Sequence, residues 1–221
     1  MNLPHVAIIV AGGKGLRMNA EIPKQFLEIN HLPILMHTLN AFSMYDASIQ
    51  LILVLPAEQV DYWKELCHKH LFSIPHTIVC GGNTRFDSVK NGLETIKVHC
   101  TIAVHDGVRP LVSQDTIARC FDIGLKHGAA VPAVELVDSI RQLTDGRNIA
   151  VDRSAYQLVQ TPQVFDSIIL KNAYNQEYSP LFTDDASVVE AAGTAVKLVQ
   201  GNRENIKITT EMDLKIASLL L

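Results

Sequence analysis

The stretch "IVAGGKGLRM" (residues 9–18) is the clearest indication of how the chain folds and what kind of ligand it binds. It ends the apolar run "HVAIIVA" (5–11), which is typical of a buried strand. Three glycines, a lysine and an arginine follow at once. Glycine backbone N–H groups and nearby cations are the groups that bind phosphate. The stretch therefore predicts a buried strand that leads into a phosphate-binding loop.

Short apolar runs alternate with helix-patterned segments along most of the chain. This alternation predicts an α/β fold: a Rossmann-like, mostly parallel sheet with helices on both faces. The loops "AGGKG", "CGGN" and "HDGVRP" follow three of the strands, so we expect them to converge at one edge of the sheet. The predicted strands are 5–11, 50–56, 76–82, 101–106, 129–136, 195–201 and 205–209. The predicted helices are 33–42, 57–70, 85–96, 114–128, 166–176, 184–193 and 211–221.

The alternation breaks between residues 138 and 165. Two extended runs flank "TDGRN", and Asp145-Gly146 is a hairpin turn signal. We therefore predict one domain, residues 1–221, with a β-arm at about 138–160 that protrudes from the core. Because an isolated two-stranded arm buries little surface, we expect it to pack against a second copy in a homodimer.

Composition excludes several classes of function. The net charge of −4 over 221 residues argues against a nucleic-acid-binding surface. The cysteines form no C-x-x-C pair, the spacing that is typical of a zinc site. No stretch has the pattern of a signal peptide or a membrane span. We expect a cytoplasmic protein with no nucleic-acid or membrane partner.

The glycine loop fits neither of two common nucleotide motifs. Walker A requires Ser or Thr after the lysine, but Gly15 follows Lys14. The dinucleotide fingerprint requires a third glycine or alanine where this chain has Met18. A tight turn with surface cations is the simplest structural alternative. Arg17 and Lys24 nearby favour phosphate chemistry instead, since they can neutralise charge at an attacked phosphorus.

Several motifs together identify a family resemblance. The chain is similar to the 2-C-methyl-D-erythritol 4-phosphate cytidylyltransferases, and the resemblance covers nearly its whole length. The motifs that carry it, in order, are "GGKGLRM…PKQ", "VHDGVRP" (104–110), "DS" (138–139), "VDR" (151–153), "TPQ" (161–163), "TDDAS" (183–187) and "NIKIT" (205–209).

The resemblance implies transfer of CMP from CTP to the polyol phosphate, with Mg²⁺ as cofactor and Asp106 as its ligand. It implies a homodimer in which Arg153 reaches the neighbouring site. The implied catalytic residues are Arg17, Lys24 and Lys207. The implied nucleotide-binding residues are Ala11, Gly12, Gly13, Gly15, Gly81, Gly82, Asn83, Ser88 and Asp106. The implied polyol-phosphate-binding residues are Arg109, Ser139, Arg153, Thr161, Thr183 and Lys207.

Two predicted site residues depart from the usual family motif. Asn83 stands where the family usually has Asp, and Ser139 where it usually has Thr, and both keep hydrogen-bonding capacity. Lys207 lies within a predicted strand, and a strand end that faces phosphate explains a lysine there. Asp184 and Asp185 read as acids at a helix N-terminus, so we assign them no catalytic role.

Two alternatives remain open from the sequence. A ribitol 5-phosphate cytidylyltransferase shares "AGG", "PKQ", "HD..RP" and "NIK", whereas "VDR" and "TDDAS" favour methylerythritol phosphate. A non-catalytic nucleotide-binding regulator is the second alternative. It predicts loss of Arg17, Lys24 or Lys207, and the chain has all three.

Overall fold

The computed structural model describes residues 3–12 and 22–221. Within these ranges the strands are β1 (His5–Val10), β2 (Glu28–Ile29), β3 (Leu32–Pro33), β4 (Gln50–Leu55), β5 (Thr77–Cys80), β6 (Thr101–Asp106), β7 (Ala129–Glu135), β8 (Arg141–Thr144), β9 (Arg147–Ala150), β10 (Gln157–Val159), β11 (Gln163–Asp166) and β12 (Lys197–Gln200). The helices are α1 (Ile34–Tyr45), α2 (Val60–Lys69), α3 (Arg85–Glu94), α4 (Gln114–His127), α5 (Ser167–Ala173), α6 (Asp185–Ala191) and α7 (Glu211–Leu220).

Four neighbouring parallel strands form one half of the main sheet, in the order β6-β1-β4-β5. Ile8 of β1 lies opposite Ile52 of β4 on one side and Val104 of β6 on the other. Strands β1 and β4 are apolar at all but one position because the sheet is covered on both faces, whereas β6 ends in the polar His105 and Asp106. The carboxyl ends of the four strands meet at one edge, as the Rossmann-like prediction requires.

Antiparallel strands enter the other half of the sheet. Strand β11 lies between β6 and β7 and runs antiparallel to both. Strand β10 pairs antiparallel with the end of β7, and β12 pairs parallel with it. The sheet is therefore mixed but mostly parallel, which confirms the predicted fold class.

Helices cover both faces of the sheet. Ala7 and Ile9 of β1 face a core that includes Leu39, Trp63 and Phe121 from α1, α2 and α4. Alternate residues of the same strand face a second core, built with side chains of α3, α5 and α6. Since successive strand residues point to opposite faces, a single apolar strand supplies both cores.

One strand prediction is wrong. Residues 205–209, "NIKIT", form no strand, although Ile208 donates its backbone N–H to the Val108 carbonyl at 3.0 Å. Both edges of β6 are already occupied, by β1 and β11. The segment therefore lies against the turn that follows β6, and it brings Lys207 to that turn.

The predicted hairpin is present as a separate two-stranded sheet of β8 and β9, exposed at every residue. Asp145 and Gly146 have positive φ values of 49° and 75°, as a two-residue hairpin turn of the favoured hand requires. A second small hairpin, β2–β3, was not predicted. In the described ranges, no helix is long and apolar enough to cross a membrane.

Candidate active site

A cavity of about 600 Å³ opens at the carboxyl ends of β1, β4, β5 and β6. The three loops that the sequence predicts to converge supply much of its wall. Among the described residues the wall consists of Val10, Ala11, Gly12, Lys24, Gln25, Val54, Pro56, Gly81, Gly82, Asn83, Thr84, Arg85, Ser88, Asp106, Val108, Lys207 and Thr209.

The loop after β5 is held tightly against the start of α3. A Cβ atom on Gly82 would lie only 2.3 Å from the Asp87 Cβ, so no larger residue fits there without movement. The Ser88 hydroxyl accepts from the Gly82 N–H at 3.1 Å and donates to the Thr84 carbonyl at 2.9 Å. Thr84 caps α3 in a reciprocal bond with Asp87. The loop is therefore fixed before any ligand enters.

Asp106 is the centre of charge in the cavity. Its carboxylate lies 3.0 Å from Lys207 Nζ, 3.3 Å from Arg109 Nε and 3.8 Å from Arg85 Nε. Burial alone would raise the pKa of Asp106, but the three cations outweigh it and hold that pKa well below its usual range. Asp106 is therefore ionised at neutral pH.

Two side chains of the "PKQ" segment tie the first glycine loop to the rest of the wall. Lys24 Nζ donates to the Ile208 carbonyl at 3.1 Å, close to Lys207 in sequence. Gln25 is buried, and its amide donates to the Ala11 carbonyl at 2.9 Å and to Gln59 Oε1 at 2.6 Å. These contacts position the backbone that leads into the glycine loop.

Buried His105 and Thr161 form a hydrogen-bond network with the backbone of Asp106. His105 Nε2 donates to the Arg109 carbonyl at 3.1 Å, because a carbonyl oxygen can only accept. In a neutral ring Nδ1 is then an acceptor, so the Thr161 hydroxyl donates to it at 3.0 Å and accepts from the Asp106 N–H at 3.1 Å. Burial lowers the pKa of His105 to about 4, so the ring is neutral at neutral pH. Neutral His105 matches this bonding pattern.

The structure brings together nine of the sequence-predicted site residues in the cavity wall: Ala11, Gly12, Lys24, Gly81, Gly82, Asn83, Ser88, Asp106 and Lys207. Gly13, Gly15 and Arg17 lie outside the described residues. Arg109 contacts Asp106 from beside the wall, and Thr161 is buried beneath it. Ser139, Arg153 and Thr183 are exposed and apart from the described wall. The roles assigned to all of these residues stay predictions.

Sequence reasoning missed Arg85, which lines the cavity from the first position of α3. A signal for it exists in the sequence. A cation is unfavourable at a helix N-terminus, so an arginine directly after a helix cap indicates a compensating partner or ligand.

The wall suits a Mg²⁺ ion held mainly by a ligand. Among the described residues, no three His, Cys, Asp or Glu side chains group closely enough to hold a metal by themselves. Asp106 offers one carboxylate, however, and Mg²⁺ commonly binds one or two carboxylates together with substrate phosphates and water. The residues present therefore fit Mg²⁺ only when a polyphosphate completes its coordination.

Comparison with known proteins gives a consistent result. The family profile described as IspD, 2-C-methyl-D-erythritol 4-phosphate cytidylyltransferase, matches residues 5–221. A protein of that name from Bacteroides thetaiotaomicron is 58% identical over 214 residues, which is 97% of this chain and 98% of the relative. One from Porphyromonas gingivalis is 52% identical over 222 residues, 100% of this chain and 99% of the relative.

Solved structures agree with the sequence relatives. The crystal structure of 4-diphosphocytidyl-2C-methyl-D-erythritol synthase from Anaerococcus prevotii is similar with a TM-score of 0.83 at 28% identity, covering 98% of this chain and 95% of the other. The 2-C-methyl-D-erythritol 4-phosphate cytidylyltransferase from Thermus thermophilus has a TM-score of 0.75 at 30% identity, covering 100% and 98%.

Proposed function

Because the chain belongs to the 2-C-methyl-D-erythritol 4-phosphate cytidylyltransferase family, we propose that it transfers CMP from CTP to 2-C-methyl-D-erythritol 4-phosphate. The products are 4-diphosphocytidyl-2-C-methyl-D-erythritol and pyrophosphate, for isoprenoid biosynthesis by the non-mevalonate route. The observation that carries the proposal is the convergence of Lys24, Lys207 and Asp106 on one cavity with the glycine loops.

The reaction is a displacement at the α-phosphorus of CTP. A phosphate oxygen of the polyol phosphate forms the new P–O bond, and the bond to the β-phosphate oxygen breaks, so pyrophosphate leaves with that electron pair. No nucleophilic side chain of the protein takes part. The protein's task is to position two anions and to stabilise the charge that develops between them.

The charge of the wall suits that task. A phosphate monoester carries about −1.5 to −2 charges near neutral pH, and it must approach a triphosphate. Lys24, Arg85 and Lys207 in the described wall and Arg109 beside it face two carboxylates, Asp106 in the wall and Asp185 behind Arg85. This positive surplus offsets part of the repulsion between the substrates, and Arg17 would add to it.

Lys24 and Lys207 have separate parts in this proposal. Lys24 emerges from the segment after the glycine loop and, with Arg17, stabilises charge at the α-phosphate. Lys207 Nζ lies 3.0 Å from the Asp106 carboxylate. It can move from that carboxylate to a substrate phosphate when the phosphate enters the cavity. Mg²⁺, when bound by Asp106 and the triphosphate, supplies further charge neutralisation.

Cytosine recognition falls to the loop after β5. Gly81 and Gly82 line the cavity without side chains. Their N–H groups are donated to the Leu55 carbonyl and the Ser88 hydroxyl, so their carbonyls are the backbone groups that can accept from a base. Asn83 adds an amide that can donate and accept. The fixed geometry of this loop favours a base of one size and pattern. We therefore propose CTP as the nucleotide, over ATP and GTP.

We propose a homodimer, formed through the arm, that carries out this reaction in the cytoplasm. The arm exposes Leu143 by 80% and Ile149 by 57%, and a second copy would cover both. Arg153 lies near its base, where its guanidinium donates to the Val137 carbonyl. In the dimer, Arg153 would reach the polyol phosphate bound by the neighbouring subunit.

One experiment separates the proposal from its alternatives. Purified protein with Mg²⁺ is given CTP and either methylerythritol 4-phosphate or ribitol 5-phosphate, and pyrophosphate release is measured. We expect turnover with the first polyol phosphate. Preference for ribitol 5-phosphate would replace the proposed substrate, and CTP binding without turnover on either would favour the non-catalytic regulator. ATP in place of CTP serves as the control for base selection.

A further inference from the structure

Arg85 occupies an unusual place for an arginine. It is the first residue of α3, directly after the loop that carries Gly81 and Gly82, and its side chain is 30% exposed in the cavity. The helix N-terminus there repels cations and favours anions. Something other than the helix must therefore hold this guanidinium in position.

Asp185, 100 positions later in the sequence, holds the Arg85 guanidinium in place. Its two carboxylate oxygens accept from the two terminal nitrogens of Arg85, at 3.0 and 2.6 Å. The Asp185 side chain is completely buried, and the Tyr174 hydroxyl donates to it at 2.6 Å. A planar fork-to-fork pair of this kind fixes both the position and the plane of the guanidinium. Asp185 therefore positions Arg85 in addition to being an acidic residue in the first turn of α6.

The pair leaves several Arg85 donors for a ligand. A guanidinium has five N–H groups, and Asp185 takes two. The Arg85 Nε lies 3.8 Å from Asp106, which is too far for a hydrogen bond. Within the described part of the chain, three N–H groups thus remain for an acceptor in the cavity.

We propose that Arg85 is a further nucleotide-binding residue of this cavity and that Asp185 and Tyr174 are positioning residues that act through it. The inference rests on the proposed function for the identity of the nucleotide. Arg85 lines the same cavity as Asn83 and Ser88, and its Nε lies 3.8 Å from Asp106, so the guanidinium lies beside the part of the wall assigned to CTP. The carbonyl, hydroxyl and phosphate oxygens of a nucleotide all accept hydrogen bonds.

The test compares two adjacent carboxylates. Asp185→Asn removes the charge that orients Arg85 and keeps the side-chain shape. Asp184→Asn is the matched control, because Asp184 caps the same helix through Ser187 and asparagine caps equally well. We expect Asp185→Asn to raise the KM for CTP by about tenfold, the size expected when a hydrogen bond to a charged group is lost. The KM for the polyol phosphate and the values for Asp184→Asn should stay near wild type.

CTP binding measured by calorimetry, without the polyol phosphate, keeps this test separate from the proposed function. A protein that binds CTP but fails to turn over would overturn the function while the two variants still report on Arg85. Equal CTP affinity in Asp185→Asn and Asp184→Asn would overturn the inference. So would a loss shared equally between both KM values and accompanied by a lower Tm, since that is the mark of a merely structural role.

Two further variants decide the matter if Asp185→Asn does not fold. Tyr174→Phe keeps the ring stacked on Phe86 and removes one bond to Asp185, and Arg85→Lys keeps the charge and removes the fork. Both should weaken CTP binding, Arg85→Lys more strongly. Where the double variant folds, Asp185→Asn should add little in the Arg85→Lys background, because both changes remove one unit. Additive effects, or unchanged CTP affinity in Arg85→Lys, would contradict the proposal.

Discussion

The cavity wall and the arm differ in how far their side chains are buried and paired. The largely buried Asp106 and Arg109 and the partly exposed Lys207 are paired with one another, next to two apolar cores. In the arm, all eight strand residues are exposed and the apolar Leu143 and Ile149 face outward. The described wall comes from one chain, whereas in the proposed dimer a second copy would cover the arm. One part of the proposed site is therefore fixed by contacts within the described chain, and the other would depend on the proposed assembly.

The largest expected effect comes from removing Lys24 from the cavity wall. Lys24→Ala should lower kcat by about 100- to 1,000-fold, the cost of removing one aligned group that meets transition-state charge. The affinity for CTP should change far less. Steady-state kinetics and calorimetric CTP binding measure the two effects separately. Lys64→Ala, on an exposed lysine paired with Asp61, is the control and should be silent. Near-normal turnover in Lys24→Ala would remove this residue from the catalytic set.

The second effect probes the buried support beneath Asp106. Burial lowers the pKa of His105 to about 4 from a usual 6.5, so the native state binds its proton less readily than the unfolded chain. This contribution to stability is present above pH 6.5 and is lost as pH falls towards 4, a change of about 3 kcal/mol in the free energy of unfolding. Urea unfolding across this range should show a shallower loss in His105→Gln than in wild type.

The exposed His68 at the end of α2 offers the matched control for that series. His68→Gln should lose stability with falling pH much as wild type does. A pH slope in His105→Gln that equals the wild-type slope would show that His105 is not the group being titrated.

The third effect concerns the metal. Asp106→Asn should raise the Mg²⁺ concentration needed for half-maximal activity by at least about tenfold, since even an outer-sphere partner of a metal is commonly worth that much. A Mg²⁺ titration at saturating CTP measures it, with the exposed Asp61→Asn as control. Full wild-type activity in EDTA would refute the metal role, and so would an unchanged Mg²⁺ requirement in the variant.

The last prediction concerns the arm and the role of Arg153 across the proposed dimer. Arg17→Ala and Arg153→Ala subunits, each inactive as a pure dimer, are mixed and allowed to exchange. If Arg153 acts in the neighbouring subunit, each mixed dimer has one site with both arginines and one with neither. Random exchange of equal amounts makes about half the dimers mixed, so roughly a quarter of all sites should recover.

The recovery is meaningful only when exchange is verified, for instance by native mass spectrometry of differently tagged subunits. If Arg153 acts within its own subunit, no site in any dimer has both arginines. Verified exchange without recovered activity would therefore refute a shared site.

Local signals in the sequence determined the framework. Apolar runs placed β1, β4, β5, β6 and β7 because strands in a sheet that is covered on both faces are mostly apolar. Asp145-Gly146 specified its hairpin because those residues tolerate the backbone angles of the turn. The glycine loops predicted the edge of the sheet where the cavity lies. These features depend on neighbours in sequence, so pattern alone suffices.

Long-range pairing was decided only in the tertiary structure. Arg85 and Asp185 are 100 positions apart, and nothing near either residue specifies the other. Residues 205–209 alternate like a strand, yet β1 and β11 already occupy the edges of β6, so the segment became an irregular support for Lys207. Thr161 lies in the predicted substrate-binding motif "TPQ", and its role there stays a prediction. Only the tertiary structure shows that its hydroxyl also bonds to His105 and to the Asp106 backbone. A side chain's chemistry is fixed by its type, but its partners depend on which distant segments the folded core brings within bonding distance.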